Sequence, residues 1–236
     1  MKLSIIIPVY NEQDTVLLVL DKINALHFPS FILDVEMVIV DDCSTDKTAI
    51  RLEKYVCHYP KKIISHSQNQ GKGAAVRTGF KNASGDVFLI QDADLELSPD
   101  DIPAMLNAMH KLNVEFVNGS RYMAGMVRPL SSYKRYLANR FFTFLTSVLI
   151  DVKLTDMACG YKLIHRNLCE NLNLCENRFG FEAEMIIKAL RVKRNNVAEV
   201  PVNYFPRNDG EGKKLKNTDA FKILWTVIKY GLFRAK

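Results

Sequence analysis

The feature that most constrains this chain is the alternation of two hydrophobic periods along its first half. Short, nearly continuous apolar runs alternate with stretches whose apolar residues recur at helical spacing. The run KLSIIIPV at residues 2–9 reads as a buried strand, and residues 12–26 as a helix capped by Asn11, with Val16, Leu20 and Ile23 on one face. The run VEMVIV at 35–40 is a second strand, followed by a helix that opens at Thr45 or Asp46 and carries Ala49, Leu52 and Val56. Residues 62–65 form a short strand, 72–83 a helix and 86–90 (DVFLI) another buried strand. Ser98-Pro99-Asp100-Asp101 then opens a helix with a capping hydroxyl, a proline in the first turn and two acids at the positive end of the dipole. A strand at 114–118 completes this half. Such alternation requires crossover connections, hence an α/β fold with a mainly parallel sheet flanked by helices. The second half is less regular: helices over 131–150, 181–194 and 219–233, with a strand at 197–203 between the last two.

In open sheets of this kind ligands bind beyond the carboxyl ends of the strands. The residues in that position are Tyr10-Asn11-Glu12, Asp41-Asp42, Gln91-Asp92-Ala93-Asp94 and Gly119-Ser120-Arg121. Three of these groups are rich in carboxylate and the fourth brings an arginine.

Composition narrows the class. At 236 residues and 48% hydrophobic the chain has ample apolar mass for a core, which excludes disorder. No linker or internal repeat divides it. Five cysteines without a CxxC pair argue against a disulfide scaffold and fit a reducing, cytoplasmic setting. The five histidines do not cluster with cysteines at zinc-ligand spacing. The N-terminal apolar run meets Pro8 and a turn rather than a small-residue cleavage site, so it is not read as a signal peptide. No stretch approaches the roughly 18 apolar residues of a membrane span. The expectation is a cytoplasmic protein without a transmembrane helix, soluble or peripheral on the membrane face.

Charge is unevenly placed. Residues 1–120 carry 11 Lys and Arg against 16 Asp and Glu, whereas residues 121–236 carry 21 against 10. The basic half is either a solvated face or a surface that meets phosphate, nucleic acid or lipid headgroups.

Asp92 and Asp94 follow a buried strand directly, and two carboxylates so placed can aim at one hard divalent cation, Mg²⁺ or Mn²⁺, that also carries substrate phosphates. Glu96 lies two residues further and binds the ion directly or through water. Asp41-Asp42 either caps the following helix or accepts hydrogen bonds from a base or ribose. Asn69-Gln70-Gly71-Lys72-Gly73 opens a helix, where glycine, the helix N-terminus and Lys72 favour an anion; it lacks P-loop spacing. Arg121, Arg128, Lys134, Arg135 and Arg140 begin the basic half, and a polar glycine-rich loop at 207–214 is either solvated or folds over a phosphorylated ligand. Glu182 and Glu184, early in a helix, are dipole partners or site residues. Asp156 precedes Met157-Ala158-Cys159-Gly160-Tyr161-Lys162.

The order IIIPVYNE (5–12), VIVDDCSTD (38–46), NQGKGAAVRTG (69–79), ASGDVFLIQDADLE (83–96), GSRY (119–122), DMACGYK (156–162), FGFEAEM (179–185) and EVPVNYFPR…GKKL (199–215) resembles the family 2 glycosyltransferases. Within them it is most similar to the polyprenyl-phosphate sugar transferases, the dolichyl-phosphate mannose and glucose synthases and their bacterial relatives. The resemblance implies a GT-A fold over 1–236, with 1–120 as the nucleotide- and metal-binding half. The acceptor-binding half is then 121–236, ending in an amphipathic helix at about 219–233. It implies a nucleotide pocket at Pro8, Tyr10, Glu12, Val40 and Asp42, joined by Lys72, Asp92 and Ala93. It implies a metal at Asp92, Asp94 and the position of Glu96, where mannose synthases often carry glutamine. Arg121, Lys134, Arg207 and Lys214 match basic positions that meet the phosphates of donor or acceptor. Lys72 and Cys159-Gly160-Tyr161-Lys162 look closer to the glucosyl branch and to a UDP-sugar donor, with GDP-mannose as the alternative.

The activity so implied is inverting, metal-dependent transfer of a hexose to a polyprenyl phosphate. Asp94, Arg121 and Asp156 are the residues expected to act in it. A phosphate acceptor, with a second pKa of about 6, is mostly dianionic near neutral pH and needs no general base. A sugar-hydroxyl acceptor needs one, and Asp156 is then the first candidate. The membrane partner is a lipid surface or a membrane protein, contacted by helix 219–233 or by the aromatic segment 136–150; each helix packs into the core or rests on an anionic membrane. A nucleic-acid-binding role is disfavoured by the strand-end carboxylates. A non-catalytic nucleotide-sugar-binding partner is disfavoured by the retained Asp92 and Asp94.

Overall fold

The computed structural model describes residues 1–123, 132–193, 196–207 and 217–233. Seven strands form one sheet: β1 (Lys2–Val9), β2 (Asp34–Asp41), β3 (Lys61–Ser65), β4 (Val87–Ile90), β5 (Phe116–Ser120), β6 (Lys162–His165) and β7 (Val197–Pro201), in the order β3-β2-β1-β4-β6-β5-β7. β6 is antiparallel to both β4 and β5, and the other pairings are parallel, so β6 alone runs against the rest. The sheet is therefore mixed and mainly parallel, as the alternating pattern requires.

Helices cover both faces. Leu3, Ile5 and Ile7 of β1 point to a core shared with α1 (Val16–Asn24), α2 (Thr48–Lys54) and α4 (Ile102–Leu112). Ile6 points to the opposite core, with α3 (Lys72–Asn82), α5 (Tyr133–Ile150), α6 (Arg166–Asn171), α7 (Phe181–Val192) and α8 (Asn217–Gly231). This alternation, with Ile6 on one side and its neighbours on the other, is the period of a strand buried on both faces.

Several boundaries differ from the sequence expectation. α1 begins at Val16 rather than at 12, because Asn11 adopts φ 52° and its side-chain oxygen accepts from the Thr45 amide at 2.8 Å, tying the first loop to the second instead of capping the helix. α2 begins at Thr48, whose amide is capped by the Asp46 carboxylate at 2.9 Å. β5 lies two residues later than expected, β7 ends at Pro201, α7 at Val192 and α8 at Gly231. β6 and α6 were not legible: four residues beginning with a lysine give no periodic signal, and Lys162 is fully buried only because Asn118 and the Cys159 carbonyl accept from its ammonium at 2.7 and 3.0 Å. The loop at 208–214, with Lys214, and also Arg128 lie outside the described residues.

Candidate active site

The parallel strands deliver their carboxyl ends to one cavity of about 630 Å³. Pro8, Tyr10, Glu12, Asp42, Lys72, Asp92, Ala93, Asp94, Glu96, Arg121, Lys134 and Arg207, all expected from the sequence, line it. Val40 does not: it is fully buried in the core beneath α3, one residue before the turn that carries the acids.

The first two turns build the wall on the β1–β2 side. Asp41 accepts from the Ser44 amide at 3.1 Å and from its hydroxyl at 2.5 Å, so it closes its own turn. Asp42 reaches across to the loop before α3, where its carboxylate accepts from the amides of Gln70 at 2.9 Å and Gly71 at 2.7 Å and meets His66 Nδ1 at 2.7 Å. Gly71 sits at φ +98°, and a Cβ there would lie 2.5 Å from the Asn177 carbonyl oxygen, so the turn requires glycine. The amides at the start of α3 are thus directed partly at Asp42, and Lys72 turns its side chain toward β4.

There it meets the acid pair. Lys72 Nζ lies 2.7 and 2.9 Å from the two oxygens of Asp92 and 2.9 Å from Glu182 of α7. Burial alone would lower the lysine pKa, but the Asp92 and Glu182 carboxylates more than offset it and hold the ammonium charged well above its usual range. Asp94 faces Arg207, whose Nη2 lies 3.0 Å from it, while the same guanidinium forks onto Glu12 at 3.0 and 3.1 Å. Burial, together with Asp92 and Glu96 nearby, pushes the Asp94 carboxyl up to about 6, against the opposing pull of Arg207. Glu96 accepts from the Tyr204 hydroxyl at 3.2 Å and the Arg207 amide at 3.1 Å.

Asp92, Asp94 and Glu96 are therefore not assembled as one cage, and among the described residues no cluster of three or more His, Cys, Asp or Glu is arranged to hold a metal ion. The donor chemistry still fits Mg²⁺ or Mn²⁺. Such ions use one or two carboxylates and complete their shell with water and substrate phosphates. Asp92 and Asp94 supply those hard oxygens, and burial together with the neighbouring Asp92 and Glu96 penalises a charged Asp94.

Arg121 lines the opposite wall, with Asp156 buried behind it. Arg121 Nε and Nη2 lie 2.7 and 2.9 Å from the two Asp156 oxygens, and the Arg121 amide adds a third bond at 3.1 Å. Asp156 is 0% exposed and does not line the cavity. The candidate base thus has both oxygens engaged by Arg121, with the Ala158 amide also donating at 3.2 Å. The guanidinium lies over the rings of Tyr122 and Tyr204, 5.5 and 5.1 Å from their centroids. Glu199 of β7 accepts from the amides of Thr155 at 2.8 Å and Asp156 at 3.3 Å, fixing the loop that carries the pair.

Of the two early acids of α7, Glu182 joins the site through Lys72. Glu184 is fully buried and accepts from the Cys175 and Glu176 amides and from Lys188 at distances of 2.7 to 3.0 Å. Tyr122, Arg178 and Tyr204 in the cavity wall were not expected from the sequence; Gly160, also there, belongs to the Cys159-Gly160-Tyr161-Lys162 motif. The adjacency of Tyr122 to Arg121 was the one available signal; Tyr204 and Arg178 reach the site through tertiary packing.

The family model for glycosyl transferase family 2 matches residues 4–172. The chain belongs to that family. It is 34% identical over 232 residues to the dolichol-phosphate mannosyltransferase of Pyrococcus furiosus, covering 97% of this chain and 63% of that protein. It is 30% identical over 235 residues to the dolichyl-phosphate beta-glucosyltransferase of Saccharomyces cerevisiae, covering 90% and 69%. The chain thus spans about two thirds of the length of these two curated relatives. The glucosyl-3-phosphoglycerate synthase of Mycobacterium tuberculosis, crystallised with Mn²⁺, UDP and phosphoglyceric acid, superposes with a TM-score of 0.75 at 18% identity, covering 98% of this chain and 78% of that one. This likeness shows the fold, which is of the GT-A type.

Proposed function

We propose that this family 2 domain transfers a hexose from a nucleotide-diphospho-sugar, read as a UDP-sugar, to the phosphate of a polyprenyl phosphate, with inversion at the anomeric carbon. The observation that carries the reading is the sealed Arg121–Asp156 pair. A hydroxyl acceptor needs a base beside the anomeric carbon. The first candidate for that base is withdrawn from the cavity and spent on an arginine. What faces the cavity there is a cation, which suits an acceptor that is already an anion.

The chemistry follows from the residues in place. An acceptor phosphate oxygen forms the new bond to the anomeric carbon as the bond to the donor diphosphate breaks, and the nucleoside diphosphate leaves. Asp156 holds the Arg121 fork rigid against Tyr122 and Tyr204, so the cation meets phosphate without losing rotamer freedom at that moment. Lys134 lines the same cavity as a second cation. Asp92 and Asp94 would hold a divalent Mg²⁺ or Mn²⁺, which when bound supplies Lewis-acid neutralisation of the leaving diphosphate. The dolichyl-phosphate relatives and the Mn²⁺ and UDP of the structural neighbour support this assignment.

A lipid-borne acceptor implies a membrane surface, and α5 and α8 provide a face for one. α5 exposes Leu137, Phe141, Phe144 and Val148, spaced by four, three and four residues; α8 exposes Phe221 and Trp225, four residues apart, and Leu232 is exposed just past its end. The helices pack side by side, with Leu149 against Gly231. Both line the cavity from their inner faces, through Tyr136, Asn139 and Phe142 on α5 and Ala220 and Ile223 on α8. α5 carries Lys134, Arg135 and Arg140 and no acidic residue, which complements anionic headgroups. No helix of the described residues is long and apolar enough to cross a membrane.

The test supplies the chain with Mn²⁺, UDP-glucose or GDP-mannose, and either polyprenyl phosphate or soluble glycans. Product on polyprenyl phosphate alone is the expected result. Transfer to a sugar hydroxyl only, abolished by Asp156→Asn, would overturn the phosphate-acceptor reading.

A further inference from the structure

Asp92 and Asp94, at the centre of the cavity, each already face a cation of the chain itself. Lys72 bridges Asp92 and Glu182 at 2.7 to 2.9 Å, joining the start of α3 to the end of β4 and the first turn of α7. Gly160 closes over it. A Cβ at that glycine would lie 2.2 Å from Asp92 Oδ2 and 3.3 Å from Lys72 Nζ, so the loop after Asp156 presses on the pair. Arg207, in the segment that follows β7, reaches Asp94 and shares its fork with Glu12.

We propose that Lys72 is the positioning residue that makes divalent-ion binding at Asp92 conditional on the nucleotide; this rests on the metal-assisted reading above. An ion arriving alone at Asp92 meets a fixed ammonium on the same carboxylate and is repelled by it. A nucleoside diphosphate arriving with the ion brings negative charge that offsets this repulsion and is itself attracted to Lys72. The lysine therefore weakens the hold on a free ion, strengthens the hold on the diphosphate, and couples the two binding events reciprocally. Glu182 acts in the opposite sense, because it shares the lysine charge with Asp92. Nothing in the sequence motif distinguishes these roles; the contact with Glu182, more than a hundred residues away in the chain, does.

The experiment measures Mn²⁺ binding to the full chain by the electron-spin-resonance signal of free Mn²⁺ and by calorimetry, with and without UDP. Lys72→Met is expected to bind Mn²⁺ alone about tenfold tighter than wild type, with the enhancement by UDP reduced by a similar factor. Glu182→Gln is expected to bind Mn²⁺ alone more weakly, and Lys72→Arg to restore wild-type behaviour. General disturbance of the site would weaken binding in both charge-removing variants. Shifts of the same sign, or a Lys72→Met affinity equal to wild type, would overturn the proposal while leaving the transferase reading intact. No Mn²⁺ bound by wild type even with UDP present would overturn the metal assignment and this proposal with it.

Discussion

Asp94 shows how a single carboxyl carries the tension of this site. Its folded pKa of about 6 lies above that of an unfolded aspartate, chiefly because burial and then Asp92 and Glu96 penalise its charge. A group raised in the folded state gives stability that is complete below the unfolded pKa and is lost as pH rises through the folded one. The ligand-free chain should therefore lose stability between about pH 4 and pH 6 on this account. Asp94→Asn is expected to be more stable than wild type at pH 7.5, by up to about 3 kcal/mol, with the gain vanishing near pH 4. Urea unfolding at the two pH values checks this; an equal difference at both would show that ionisation of Asp94 is not the cause. The acids themselves were legible in the sequence, because a strand-end position is a local fact. Their partners were not: Arg121 with Asp156, Lys72 with Glu182 and Arg207 with Glu12 join residues far apart in the chain that the fold brings together. Val40 was misplaced because the side chains of a strand alternate faces, and position 40 points into the core.

At the scale of elements, the first half was readable because its strands and helices differ in hydrophobic period. What the period does not report is how closely two elements approach. α3 lies on β1 at Gly79, where a Cβ would sit 2.3 Å from Ile6 Cγ2. Gly79→Ala improves helix propensity by up to about 1 kcal/mol, yet forces the helix off the strand. Overpacking of this kind typically costs about 1–3 kcal/mol, so a net loss is expected in the urea midpoint with the slope unchanged. A midpoint at or above that of wild type would show that the contact yields easily. The Asn11 loop illustrates the same limit. Its composition read as a helix cap, but the side chain is drawn to the Thr45 amide of a loop that only the parallel pairing of β1 with β2 brings near.

Across the whole molecule, the charge asymmetry visible in the sequence acquires a geometry. The first 120 residues supply the strand-end acids, and the basic remainder supplies α5, α8 and the arginine wall. Attraction between exposed cations and anionic headgroups is screened over roughly 10 Å at 0.1 M salt. Co-sedimentation with phosphatidylglycerol vesicles should therefore fall as salt is raised from low to about 0.5 M, and the double variant Phe144→Glu, Trp225→Glu should fail to sediment even at low salt. Retention of binding by that variant would move the contact away from α5 and α8. The aromatic spacing of both helices was apparent from the sequence; that those residues are exposed and that the helices stand together beside one cavity was not.

β6 comes from the later part of the chain yet lies hydrogen-bonded between β4 and β5 from the earlier part. The acidic portion and the basic portion are thus stitched through each other rather than laid end to end. A polypeptide stopped after β5 would leave the facing edges of β4 and β5 without the strand that pairs between them, so the first portion expressed alone is expected not to reach the native sheet.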